Sequence, residues 1–374
     1  MNIAVLGSGL VGGTIARDLA EDKSFKVTVI DRSEASLDKL GKNFAGKRQC
    51  ADAGDIKKVA ALVKPFDIVV GALPGFMAFN VIREIIKAGK HTVDISFYPE
   101  DPFELDALAR DKDVIAITDC GVAPGIPNII AGRMQEEWDE LTDFTYYVGG
   151  LPEVREQPFE YRACFSPIDV IEEYTRPARM MIDGKVVTKP ALSGIETINV
   201  EGLGTLEGFN TDGLRTLLRT LKCPNMKEKT LRYPGHARLM EIFRETGLFH
   251  EDTVDVGGKS IRPVDLTAKL LFPLWELPKG ERDLVVLIVE IEGRKGKKPF
   301  KRRWQMVDHY DVKNHVTSMA RTTGYTCSVA VRAVARKVYT TPGMSPPEFL
   351  GKDKKVHDFM LTGLAERGVV LNEA

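Results

Sequence analysis

Six residues near the start of the chain, Gly7-Ser8-Gly9-Leu10-Val11-Gly12, have the types and spacing that bind a pyrophosphate. The first glycine permits a tight turn, the second lets the backbone approach the ligand, and the third lets a helix pack against a strand. Exposed amides at the start of that helix then hold the anion. Asp31 stands 22 positions after Gly9, at the end of the next apolar run. A carboxylate there accepts hydrogen bonds from the adenosine ribose hydroxyls and repels a 2′-phosphate, which favours NAD over NADP. Arg32 pulls the other way, since a guanidinium can pair with that phosphate or stack on adenine. The residues on balance indicate NAD. Asp52 is placed to line the adenine pocket, and Ala72, Leu73 and Pro74 leave room for the nicotinamide ribose. FAD is the competitor, opposed by the lack of a second glycine-rich segment.

Acid–base and ion-pairing candidates lie further on. Asp94 and Asp119 each follow an apolar run and are expected at strand ends on the rim that faces the ligand. Two later stretches gather polar groups among glycines: Asn210-Thr211-Asp212-Gly213-Leu214-Arg215 and Arg232-Tyr233-Pro234-Gly235-His236-Ala237-Arg238. An arginine offers a planar fork to a carboxylate, and Asp212 can pair with an amine. His236 is the acid–base candidate on its ordinary pKa. The plain alternatives are that Asp212 caps a helix beginning at Gly213 and that His236 is a turn residue. Arg176 and Arg179 read as solvated or substrate-steering. Cys50, Cys120, Cys164, Cys223 and Cys327 are scattered singly, and the six histidines show no ligand spacing. A metal site is not expected, and unpaired cysteines suit a reducing compartment.

The elements that must position these groups divide into two kinds. Short apolar runs over 3–6, 26–30, 68–70, 92–95 and 114–117 read as strands, with a weaker one near 48–51. Helical patterns fall between them, over 10–20, 34–40, 56–63, 78–87 and 101–110. Runs apolar throughout are what strands covered on both faces require, so the expectation is a Rossmann-type doubly wound parallel sheet of α/β class. After Pro124-Gly125 a helix over 127–137 and a strand over 144–148 are expected. Asp183-Gly184 marks one hairpin, and 285–292 with 301–308 forms another around a basic loop at 293–298. This middle section reads as an α+β domain on a mostly antiparallel sheet. Helices are expected over 318–338 and 356–367, with a loop at 339–347. At 374 residues two domains are the natural count. Lys+Arg of 52 against Asp+Glu of 53 makes nucleic acid a poor partner. No run is long enough to span a membrane, and the cytoplasm is the expected location.

The stretches 5–12, 93–95, 119–128, 147–152 with Gly149-Gly150, 209–215, 231–236 and 319–325 together resemble the saccharopine dehydrogenase-like family over nearly the whole chain. The resemblance implies a dinucleotide domain over 1–125, a substrate and dimerisation domain over 126–310, and a tail over 311–374 folding back on the first. It implies a homodimer and a small amino-acid substrate. Within the family, the resemblance implies NAD-dependent oxidation of the ε-amine of L-lysine, releasing ammonia and a semialdehyde that cyclises. In that reading Arg215, with Arg238 second, takes the α-carboxylate, Asp212 or Asp94 an amine, and His236 the proton, while Asp94 and Asp119 remain interchangeable. The alternative is a saccharopine or carboxynorspermidine-type enzyme that acts on a secondary amine.

Overall fold

A computed structural model describes residues 1–163, 167–278 and 280–373. The chain forms two compact units, one of Met1–Glu137 with Ala320–Val370, the other of Trp138–Met319 with the last residues from Leu371.

The first unit is a seven-stranded, wholly parallel sheet. Its strands are β1 (Asn2–Leu6), β2 (Lys26–Asp31), β3 (Lys47–Cys50), β4 (Ile68–Gly71), β5 (His91–Asp94), β6 (Ile115–Ile117) and a short piece, Gly343–Ser345. Their spatial order is Gly343–Ser345, β6, β5, β4, β1, β2, β3. Alternation along β1 shows why the run is apolar throughout. Ile3 and Val5 pack with Ile15, Leu19, Cys327, Val331 and Met360 on one face, while Ala4 and Leu6 pack with Val59, Val63 and Ile85 on the other. Only β3 is exposed along its length, and as an edge strand it carries Lys47 and Arg48. Helix Ser318–Ala335 is fastened to helix Leu10–Ala20 by a buried ion cluster: the Asp18 carboxylate accepts from Arg332 Nη1 (2.5 Å), Ser328 Oγ (2.5 Å) and Arg367 Nε (2.8 Å).

The second unit is built on a mixed sheet. Its strands are β7 (Glu140–Pro152), β8 (Ala178–Ile182), β9 (Lys185–Lys189), β10 (Glu196–Val200), β11 (Gly204–Asn210), β12 (Asn225–Arg232), a separate small hairpin of β13 (Val254–Val256) and β14 (Lys259–Ile261), then β15 (Asp283–Lys295) and β16 (Lys298–His309). The order is β10, β11, β12, β7, β15, β16, with Asn372–Glu373 at the edge and β8 bridging β12 to β9. Every pair is antiparallel except β12 with β7. On one face Leu284, Val286 and Ile288 join Tyr147, Leu206 and Leu231. A second cluster, with Tyr174, Phe209, Met240 and Trp275, packs under helices Pro167–Thr175, His236–Glu245 and Pro263–Trp275.

The expected fold class holds: a doubly wound parallel sheet plus a mixed-sheet domain. Local differences have physical reasons. The β15–β16 ladder runs on to Lys295↔Lys298, so the expected loop at 293–298 is mostly strand; backbone pairing continues where charged side chains face solvent. Within the loop expected at 339–347, Gly343–Ser345 adds a buried strand to β6 between two prolines. The expected helix at 101–110 begins instead as a 3-10 turn, Pro102–Leu105. Among the described residues no helix is long and apolar enough to cross a membrane, and no group of His, Cys, Asp and Glu is arranged to hold a metal.

Candidate active site

The turn after β1 is shaped by what its glycines exclude. Gly7 has φ of +101°, and a Cβ there would lie 2.4 Å from the Ala72 carbonyl oxygen. A Cβ at Gly12 would lie 2.2 Å from the Gly7 carbonyl oxygen, whereas nothing lies within 4 Å of the corresponding point on Gly9. Gly7 and Gly12 close the turn, and Gly9 leaves open space above it. Helix Leu10–Ala20 begins there without a side-chain cap, so its first amides are available to an anion. These residues fit a dinucleotide pyrophosphate. Leu10 is exposed and Val11 half-buried; Ala72 stands against the turn, with Leu73 half-buried and Pro74 exposed.

Asp31 is engaged by the protein itself. Its Oδ2 accepts from the Ser8 amide (2.8 Å) and the Ser8 hydroxyl (2.9 Å), and its Oδ1 accepts from the Ser33 amide (2.8 Å). Desolvation pushes its carboxyl up, but those hydrogen bonds and the neighbouring Arg32 charge outweigh it and hold the group below the usual range. Arg32 is exposed beside it. Asp52 is also exposed and accepts from the Gly54 amide (2.8 Å).

Farther along the same strand ends, Asp94 is buried, with Oδ1 on the Ser96 amide (2.7 Å) and Oδ2 on the Ser96 hydroxyl (3.1 Å). Asp119 is buried with φ of +52°. The following loop is held from below: the Gly125 amide donates to Asn128 Oδ1 (3.1 Å), and Asn128 Nδ2 donates to the buried Glu348 (2.9 Å). Burial pushes the Cys120 thiol far up, so it is no nucleophile. Cys50, Cys120, Cys223 and Cys327 are free thiols, and Cys164 lies outside the described residues.

In the second unit several expectations change. His236 is buried, its Nδ1 donating to the Phe159 carbonyl (2.9 Å) and its Nε2 accepting from the Tyr174 hydroxyl (2.9 Å). A carbonyl can only accept, which fixes the tautomer. Burial, helped by the Arg232 charge, drives its pKa down to about 3. An imidazole with both nitrogens bonded in the core is structural, and the expected proton-transfer role is corrected. Arg238 lies on the outer face of helix His236–Glu245, paired with Glu241, and does not suit a carboxylate clamp.

Asp212 does not cap a helix: its carboxylate takes Arg179 Nε (2.9 Å) and Nη2 (2.8 Å) in a fork, plus the Arg179 amide (3.1 Å). It is therefore already paired with a cation, which weakens its expected role as the amine's partner. Three residues on, half-buried Arg215 has φ of +49°. Sequence reasoning missed Glu228, buried on β12, and Tyr146 on β7, which both hold this loop. The alternation Glu228, Thr230, Arg232 along one strand was the available signal.

Family models match both parts of the chain: residues 3–117 fit the saccharopine dehydrogenase NADP binding domain, and residues 121–369 fit the saccharopine dehydrogenase C-terminal domain. The chain belongs to the saccharopine dehydrogenase family. With that goes the broader assignment, an NAD(P)-dependent oxidoreductase. Saccharopine dehydrogenase (NADP+, L-glutamate-forming) of Schizosaccharomyces pombe is 24% identical over 451 aligned positions, covering 100% of this chain and 98% of its own. The mitochondrial alpha-aminoadipic semialdehyde synthase of Bos taurus is 26% identical over 266 residues, a match that spans only 28% of that longer protein. The solved apo saccharopine dehydrogenase (L-Glu forming) of Saccharomyces cerevisiae superposes with a TM-score of 0.83 at 20% identity, covering 100% of this chain and 99% of that one, and shows the shared fold.

Two expectations are overturned. Relatives that match along the chain are glutamate-forming saccharopine dehydrogenases, which displaces ε-deamination of free lysine. The NADP-binding family model displaces NAD. In the structure Asp31 stays ionised and accepts from Ser8 and Ser33, while Arg32, the cation that could pair with a 2′-phosphate, is exposed beside it.

Proposed function

We propose that this protein is an NADP-dependent dehydrogenase that cleaves saccharopine oxidatively, releasing L-glutamate and 2-aminoadipate 6-semialdehyde. The observation that carries the reading is the match of both family models with a glutamate-forming relative aligned end to end. Bound NADP+ supplies the hydride acceptor. The turn from Gly7 to Gly12 would hold its pyrophosphate, and Arg32 its 2′-phosphate. The substrate's secondary amine must lose its proton before oxidation, and water must then attack the resulting imine carbon; Asp94 and Asp119, at the β5 and β6 ends, are the candidate proton acceptors. Saccharopine carries carboxylates on both of its halves, and Arg215 is the proposed ligand for one of them. Pairing of two copies, implied by the resemblance, belongs to the same proposal and is tested by light scattering.

Initial rates of nicotinamide reduction test it, with saccharopine or lysine as substrate and NADP+ or NAD+ as acceptor. Saccharopine with NADP+ should be the fastest pair, and Arg32→Glu should raise the KM for NADP+ by at least about tenfold. Turnover of lysine and not of saccharopine would defeat the reading.

A further inference from the structure

The loop that carries Arg215 is held by a buried carboxyl that the proposed chemistry does not use. On β12 the side chains of Glu228, Thr230 and Arg232 alternate onto one buried face. Glu228 Oε2 accepts from the Thr211 hydroxyl (2.6 Å) and from the Gly213 amide (2.9 Å). The Tyr146 hydroxyl, from the adjacent strand β7, donates to the Gly213 carbonyl oxygen (2.6 Å). Gly213 is thus gripped at both its N–H and its C=O. A Cβ there would lie 2.6 Å from the Glu228 carboxyl carbon, so a side chain at this position would push that carboxyl aside. On the other side of the loop, Arg179 holds Asp212.

Two residues beyond Gly213, Arg215 sits in the left-handed region. A non-glycine residue stays there only where its surroundings over-determine it, and such positions gather at ligand sites. A carboxyl buried in a sheet is also costly, and an apolar side chain would pack there at less cost. Both costs fall on the same loop.

We propose that Glu228 is a positioning residue, which holds loop 211–213 so that Arg215 meets a carboxylate of the substrate. This rests on the reading of Arg215 given above. The charges acting on Glu228 are those of Glu173, on helix Pro167–Thr175, and Asp212 in the loop; Arg232 on β12 pairs with that Glu173, Arg179 on β8 with that Asp212, and Tyr146 on β7 holds the Gly213 carbonyl. Burial first, then the Glu173 and Asp212 charges, raise the Glu228 carboxyl to about 8 against the pull of Thr211 and Gly213. Ionisation above that point strengthens both hydrogen bonds it accepts and tightens the loop. The effect on substrate affinity therefore grows as pH rises.

The test is the KM for saccharopine in Glu228→Gln and Arg215→Ala, near pH 7 and near pH 9, on either side of about 8. Circular dichroism and NADP+ binding confirm that each variant folds. In Glu228→Gln the KM should rise about threefold near pH 7 and about tenfold near pH 9, with kcat within about twofold of wild type. The substrate amine also titrates, but alike in both proteins, so the ratio of the two KM values isolates Glu228. A merely structural role would lower stability without a pH-dependent ratio. If Arg215→Ala leaves KM unchanged, the reading of Arg215 fails and this proposal with it. If Arg215→Ala raises KM while the Glu228→Gln ratio stays flat across the two pH values, Arg215 stands and the role of Glu228 is overturned.

Discussion

His236 shows how a residue's chemistry and its surroundings separate. Its ring is locked between Phe159 and Tyr174, and its pKa falls from 6.5 to about 3 because burial disfavours the charged form. The folded protein therefore stays unprotonated at this site while the unfolded chain takes up a proton below about 6.5. Stability from this group is fully present above that value and is lost as pH falls towards 3. Between roughly pH 7 and pH 5 the loss is about 2 kcal/mol. Urea unfolding at the two pH values should show it, and His236→Gln, though less stable, should lose less on acidification. His91 adds to the trend, since its Nδ1 accepts from the Ile115 amide (3.1 Å) and burial lowers its pKa too. The sequence marks His236 as reactive by its type alone. Its partners lie 62 and 77 positions away, so its burial was not legible. Glu228 was hidden for the same reason, its two loop contacts being made by residues 15 and 17 positions distant.

Elements were more legible where local pattern and packing agree. The turn after β1 needs its glycines for different reasons, and these can be told apart. Gly9→Ala enters open space, so the unfolding free energy should change by no more than about 0.5 kcal/mol while dinucleotide affinity falls about tenfold. Gly12→Ala meets the Gly7 carbonyl at 2.2 Å and should destabilise the protein by about 2 kcal/mol or more. Thermal unfolding with NADPH fluorescence titration separates the two; equal stability loss in both variants would contradict this account of the turn. The doubly wound sheet was readable because its central strands are apolar on both faces. Strand Gly343–Ser345 was not, because three residues between prolines carry no period and gain their place only by pairing with β6. The β15–β16 ladder extends beyond its expected ends because the backbone continues to pair where side chains read as loop.

Over the whole molecule, the C-terminal segment completes the first unit. Helix Ser318–Ala335 supplies Cys327, Val329 and Val331 to the core beneath β1, and Arg332 binds the buried Asp18. Removing Arg332 leaves that carboxylate with one arginine, Arg367, in a site shielded from water. Arg332→Ala should lower the unfolding free energy by about 3 kcal/mol, a shift that calorimetry would register, and an unchanged transition would show that the cluster is incidental. The family match covers both units, and the central claim is that they serve oxidative cleavage of a secondary amine with NADP+. The most direct measurement is product analysis after incubation of the purified protein with NADP+ and either saccharopine or lysine. The account predicts glutamate formed in step with NADPH and no free ammonia; ammonia released from lysine, with saccharopine left intact, would contradict it.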